Sequence, residues 1–74
     1  MNTNIIKKFH IVNFKKVGIY AVSIHYVSGA YREFRVHNYD DIPKSIKEAL
    51  ASGLFGIVNA RNSDSVSVQW YELK

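Results

Sequence analysis

All three histidines of this chain, His10, His25 and His37, fall in its first 37 residues, together with Lys8, Lys15, Lys16, Tyr31 and Arg35. Imidazoles, ammonium groups and a guanidinium support three kinds of chemistry: metal ligation, phosphate hydrolysis and binding of an anionic partner. Zinc requires ligands gathered around one point within about 2.3 Å. No HxH or HxxxH pair and no cysteine is present. If residues 6–14 and 17–27 form a hairpin with a two-residue loop at Lys15-Lys16, His10 lies level with Ala21. His25 then stands four residues further along, about 13 Å away at 3.4 Å per residue. This geometry argues against a histidine metal site, and no cofactor is expected.

A nuclease would need a histidine pair with Arg35 or a lysine on the phosphate, a nucleophile with its base, and a pocket that excludes water. His10, His37 and Arg35 supply part of this, but no nucleophile–base spacing accompanies them. Gly53 and Gly56 flank Leu54-Phe55 and match no phosphate loop. Binding without catalysis asks less. A row of aromatic rings can stack on bases while Lys and Arg hold phosphates. Tyr31, His10, His25 and His37 are the candidate stacking groups, and Lys7, Lys8, Lys15, Lys16 and Arg35 the candidate phosphate contacts. No RNP, KH or zinc-finger pattern is present.

The charge distribution agrees with an acidic partner. The chain carries +4 overall, divided as +5 over residues 1–37 and −1 over residues 38–74. Such asymmetry suits nucleic acid or an acidic protein surface. Tyr and Arg are also the residue types that anchor protein interfaces, so a protein-binding inhibitor or adaptor is the alternative reading. Short chains rich in Lys, Asn and Ile resemble the accessory proteins of phages and mobile elements.

Placing these side chains on one surface is the task of the fold. At 74 residues, with 47% hydrophobic and 14% aromatic content, the chain is expected to be one domain, with residues 1–4 as a flexible N-terminus. A domain this small buries about 60% of its unfolded surface, so dimerisation is one way to add buried area. No run approaches the ~20 apolar residues of a membrane span, and Lys7, Lys8 and His10 interrupt the apolar start. The expected location is the cytoplasm.

Residues 6–14, 17–27 and 30–37 are rich in β-branched and aromatic residues and read as strands. In the third, Phe34 and Val36 alternate with Tyr31, Glu33, Arg35 and His37. A three-residue loop, Val27-Ser28-Gly29, sets Tyr26 opposite Ala30, Val22 opposite Phe34 and Tyr20 opposite Val36. The apolar rows then share one face. An even loop would place the apolar row of one strand beside the charged row of the next. Lys8, His10, His25, Tyr31, Arg35 and His37 fall together on the other face.

A helix over about 43–52 follows. Asp40 or Asp41 is expected to cap it, Pro43 fits its first turn, and Gly53 suits the left-handed residue past its end. Ile42, Ile46, Ala49 and Leu50 form its apolar stripe, and Leu54 is expected to fold back on its last turn. Residues 54–61 and 65–73 read as a second hairpin turning at Asn62-Ser63-Asp64, with Val66, Val68 and Trp70 assigned to the core. The fold class is α+β, in the order β-β-β-α-β-β: an antiparallel or mixed five-stranded sheet with one helix on one face. Residues 24–55, with YVSGAYREF leading to IPKSIKEAL, resemble the small KTSC-type domain, without its Lys-Thr-Ser-Cys sequence.

Overall fold

The computed structural model of the chain describes residues 5–74. The expected flexible segment, residues 1–4, lies outside them. Five strands form one sheet: β1 (Ile6–Phe14), β2 (Ile19–Tyr26), β3 (Tyr31–Val36), β4 (Phe55–Asn62) and β5 (Val66–Leu73). Every neighbouring pair is antiparallel, and the order across the sheet is β3-β2-β1-β5-β4. A single helix, α1 (Lys44–Ser52), packs on one face.

The β2–β3 hairpin has the odd loop that the burial pattern demands. Tyr20 pairs with Val36, Val22 with Phe34 and Ile24 with Arg32. Tyr26 donates its N–H to the Ala30 carbonyl, and Gly29 takes φ +94°, a left-handed conformation that a side chain would resist. The β1–β2 connection differs from expectation. It is a four-residue turn, Lys15–Gly18, rather than a two-residue loop. Two lysines suit a tight loop poorly, and Gly18 at φ +69° supplies the left-handed residue. Two extra residues preserve the faces but slide the register by two, so Phe9 faces Ile24 and Ile11 faces Val22. A bulge at Lys7 lets Ile6 and Lys8, two positions apart, point to opposite faces.

The core lies between the sheet and α1. Phe9, Ile24, Ile46 and Val22 are fully buried in it, joined by Ile11, Tyr26, Ile42 and Ala49. The helix thus presents the Ile42, Ile46, Ala49 stripe, with Leu50 partly buried beside it. Its start is built differently from the sequence reading. Asp40 and Asp41 do not cap α1; they lie in a 3-10 turn, Tyr39–Asp41, whose own cap is Asn38, accepting from the Asp40 N–H. Pro43 occupies the N-cap of α1, which has no side-chain cap. Pro43 presets the chain direction and leaves the aspartates one turn too early to reach the helix. Gly53 closes α1 at φ +77°, as its position implies, but Leu54 stays exposed and does not fold back.

The largest departure concerns β5. Val66, Val68 and Trp70 were expected in the core, but they face away from it. β1 pairs with β5 so that Tyr71 stands opposite Phe9 and Trp70 opposite His10. Tyr71 stacks on the buried Phe9 ring, with centroids 4.7 Å apart and planes within 12°, and Phe55 packs against the same ring at 5.3 Å. Three aromatic rings meeting in one cluster fix the parity of β5. Alternation within 66–70 cannot, because both faces of β5 carry large apolar groups. The described residues measure 41 × 22 × 21 Å along their principal axes.

Candidate nucleic-acid interface

Among the described residues, no helix covers the second face of the sheet. The strand pairings set its side chains in rows. The first row runs Tyr31, His25, Lys8, Glu72, Gly56. The second runs Glu33, Ser23, His10, Trp70, Asn59, and the third Arg35, Ala21, Val12, Val68, Arg61. Neighbouring strands lie about 4.8 Å apart, so each row spans about 19 Å. Ser23 and Ala21 are small and buried although they belong to this face. Longer side chains close over them: the Tyr31 hydroxyl donates to Ser23 Oγ at 3.2 Å. Tyr31 also tilts against His25, with ring centroids 4.8 Å apart. Tyr31 is therefore an exposed ring (52%) held in one orientation.

His10 sits between two aromatic neighbours. Trp70 lies 6.2 Å away, ring to ring, and His25 stands diagonally across the β1–β2 pair. Burial pushes the His10 imidazole below its ordinary pKa, His25 pushes it in the same direction, and Glu33 opposes them. Lys8, His10, His25, Trp70 and Glu72 border a depression of about 220 Å³. A second hollow, edged by Arg61, Val66, Val68 and Trp70, adjoins it. Trp70 lines both.

Of the residues expected to bind a partner, Lys8, His10, His25, Tyr31 and Arg35 share this face. The register slide brings His10 and His25 closer than the expected 13 Å, since His10 pairs with Ser23 and Lys8 with His25. Among the described residues, no group of three His, Cys, Asp or Glu side chains could hold a metal ion together. His37 does not join the row, because β3 ends at Val36 and His37 lies in the bend that follows. Lys16 is exposed in the β1–β2 turn, beyond the rows.

Lys15 has another use. Its ammonium group donates to the Asn62 side chain and, at 2.8 Å, to the Ser63 carbonyl, while its backbone N–H donates to the Ser65 carbonyl. It ties the β1–β2 turn to the β4–β5 turn.

Trp70, Val68 and Arg61 are the members of the face that sequence reasoning missed. For Trp70 and Val68 the signal was present in the alternation of SVSVQW but pointed equally well to the core. Arg61 lies on β4 beyond a bulge at Val58, which shifts the parity of the strand. Such a shift leaves no mark in the sequence.

No helix among the described residues is long and apolar enough to cross a membrane. No family model, curated protein or solved structure matches the chain, so the likeness of residues 24–55 to the KTSC-type domain rests on the strand–turn–strand–helix pattern alone.

Proposed function

We propose that the chain is a non-enzymatic module that binds single-stranded nucleic acid on the uncovered sheet face. One observation carries this reading: the strand register gathers Trp70, His10, His25 and Tyr31 into a band bordered by Lys8, Arg35 and Arg61. Bases of any sequence stack on aromatic rings, and an open antiparallel sheet holds several rings at fixed spacing. Three cations at the border neutralise phosphates. Glu33 stands on the edge strand, and Glu72 pairs with Lys8. Both leave the Arg35–Arg61 row free of acidic groups.

Trp70 is the single tryptophan of the chain, so its fluorescence reports directly on the site. Titration with oligothymidylate and oligouridylate at low salt is expected to quench that fluorescence to saturation. With three phosphate contacts the single-strand salt slope is about −2, so raising salt from about 50 to about 200 mM weakens binding roughly 20-fold. Absence of binding below about 100 μM at low salt, to any single- or double-stranded probe, would overturn the proposal.

A second reading has its own observation. Val12, Val66 and Val68 are half-buried and Phe14 is more exposed, forming an apolar stripe beside Trp70. Such a stripe suits a protein partner, as expected of an inhibitor or adaptor. A stoichiometric complex unaffected by nuclease and by moderate salt would favour it.

A further inference from the structure

The two edges of the sheet are built differently. β3, at one edge, has Arg32, Glu33 and Arg35 among its six residues. Charges of this kind keep an edge strand from pairing with another chain. β4, at the other edge, spans eight residues with one charge, Arg61, near its far end. Among the described residues, five of the ten exposed large hydrophobics gather around the start of β4: Ile5 (53%), Leu54 (63%), Ile57 (54%), Val58 (56%) and Leu73 (53%). Phe55, Leu73 and Ile57 belong to the helix side of the sheet. With Ile5, Leu54 and Ala49 of α1, the first two line a groove of about 380 Å³.

We propose that the Leu54–Val58 edge pairs with the same edge of a second copy of the chain. An antiparallel pair of identical strands has its twofold axis normal to the sheet, and each patch meets itself. With the axis at Gly56, Phe55 stands opposite Ile57 and Leu54 opposite Val58. Apolar groups face apolar groups throughout. The Arg61 residues of the two copies fall ten positions apart, about 33 Å at 3.3 Å per residue, so they do not oppose one another; the Lys74 stem lies over Gly56, beside the axis, with its ammonium group free to reach solvent. The bulge at Val58 limits the pairing to this first segment, because it turns the rest of β4 away. A second copy suits this edge better than a charged peptide, since the segment offers no charge to match one.

A normal twofold keeps equivalent faces on one side. The pair is then a ten-stranded sheet with both helices beneath and both Trp70 faces above. The doubling of the binding surface rests on the proposed function; the pairing itself does not. The test is made without nucleic acid, so its outcome leaves that reading untouched.

Sedimentation equilibrium from about 10 μM to about 1 mM is expected to show a species of twice the 8.5 kDa chain mass. Ile57→Lys and Val58→Lys, both at exposed positions, are expected to return the monomer with an unchanged circular dichroism spectrum. Arg32→Glu, on the opposite edge, is expected to leave the dimer intact. Amide exchange at residues 55–58 is expected to slow as concentration rises. A monomer at every concentration, a dimer that survives both lysine variants, or exchange independent of concentration would each overturn the proposal.

Discussion

Replacing Trp70 with alanine tests the candidate interface most directly. The side chain lies on the uncovered face, half-buried, against His10 and between two hollows. Stacking of one base on an aromatic ring is worth about 1–3 kcal/mol. At about 1.4 kcal/mol per tenfold, Trp70→Ala should weaken oligonucleotide binding by about 5- to 140-fold. The structural cost is smaller than for a core tryptophan, about 1–2 kcal/mol against the 3–5 of full burial. A 74-residue chain has about 4–11 kcal/mol of stability, so the variant remains folded. Fluorescence anisotropy of a labelled oligonucleotide reads the affinity, and thermal melting reads the fold. Tyr71→Ala is the partner experiment, one residue away and on the opposite face. It should lower stability by more than Trp70→Ala does, because the Phe9 ring loses its stack, worth about 0.5–1.5 kcal/mol beyond its buried area, and leave the affinity of the folded protein unchanged. Affinity within about twofold of the parent in a folded Trp70→Ala variant would refute the stacking argument. Unchanged stability in Tyr71→Ala would refute the parity of β5.

Other perturbations check the framework. Phe9→Ala, at a position 1% exposed, should cost about 3–5 kcal/mol in chemical denaturation, a large share of the chain's stability. Gly53→Ala forces a side chain into the left-handed region at φ +77° and should cost about 1–2 kcal/mol. His10 titrates below its ordinary value of 6.5 in the folded state, so the unfolded chain binds its proton first. Its contribution to stability is therefore complete above pH 6.5 and is lost as pH falls from there through the lowered folded value. Denaturation midpoints measured from pH 7.5 to 5 should decline, and His10→Gln should flatten that slope.

How much of this was legible in the sequence depends on which forces were local. The β2–β3 hairpin could be read residue by residue: Gly29 marks the loop, and only an odd loop puts Val22 beside Phe34. The stripe of α1 and the cap at Gly53 were legible for the same reason, since the helical period and the left-handed φ are properties of a few neighbouring residues. Lys8, His10, His25, Tyr31 and Arg35 consequently fell on one face as expected. The parity of β5 was not legible. It is decided by the meeting of Phe9, Tyr71 and Phe55, three residues from separate strands, while SVSVQWY offers two acceptable faces. Lys15 looked like a free cation because nothing in its neighbourhood announces that Asn62 and Ser63 will reach it. Asp40 and Asp41 looked like helix caps because the nearer cap, Asn38, forms a separate turn first.

The pairing of β1 with β5 has a consequence for how the chain folds. It joins residues 52 to 64 positions apart, from Phe14 with Val66 to Lys8 with Glu72, and it forms the middle of the sheet rather than an edge. The three hairpins, β1–β2, β2–β3 and β4–β5, close over short loops and can form early, within about 1–10 μs each. None contains the finished core, because Phe9 waits for Tyr71. The entropy of closing the longest loop is therefore met before its contacts repay it, which makes β1–β5 docking the slow step. Until that moment β1 presents an open apolar edge. During synthesis that interval lasts until the last strand, Val66–Leu73, is free to enter the sheet.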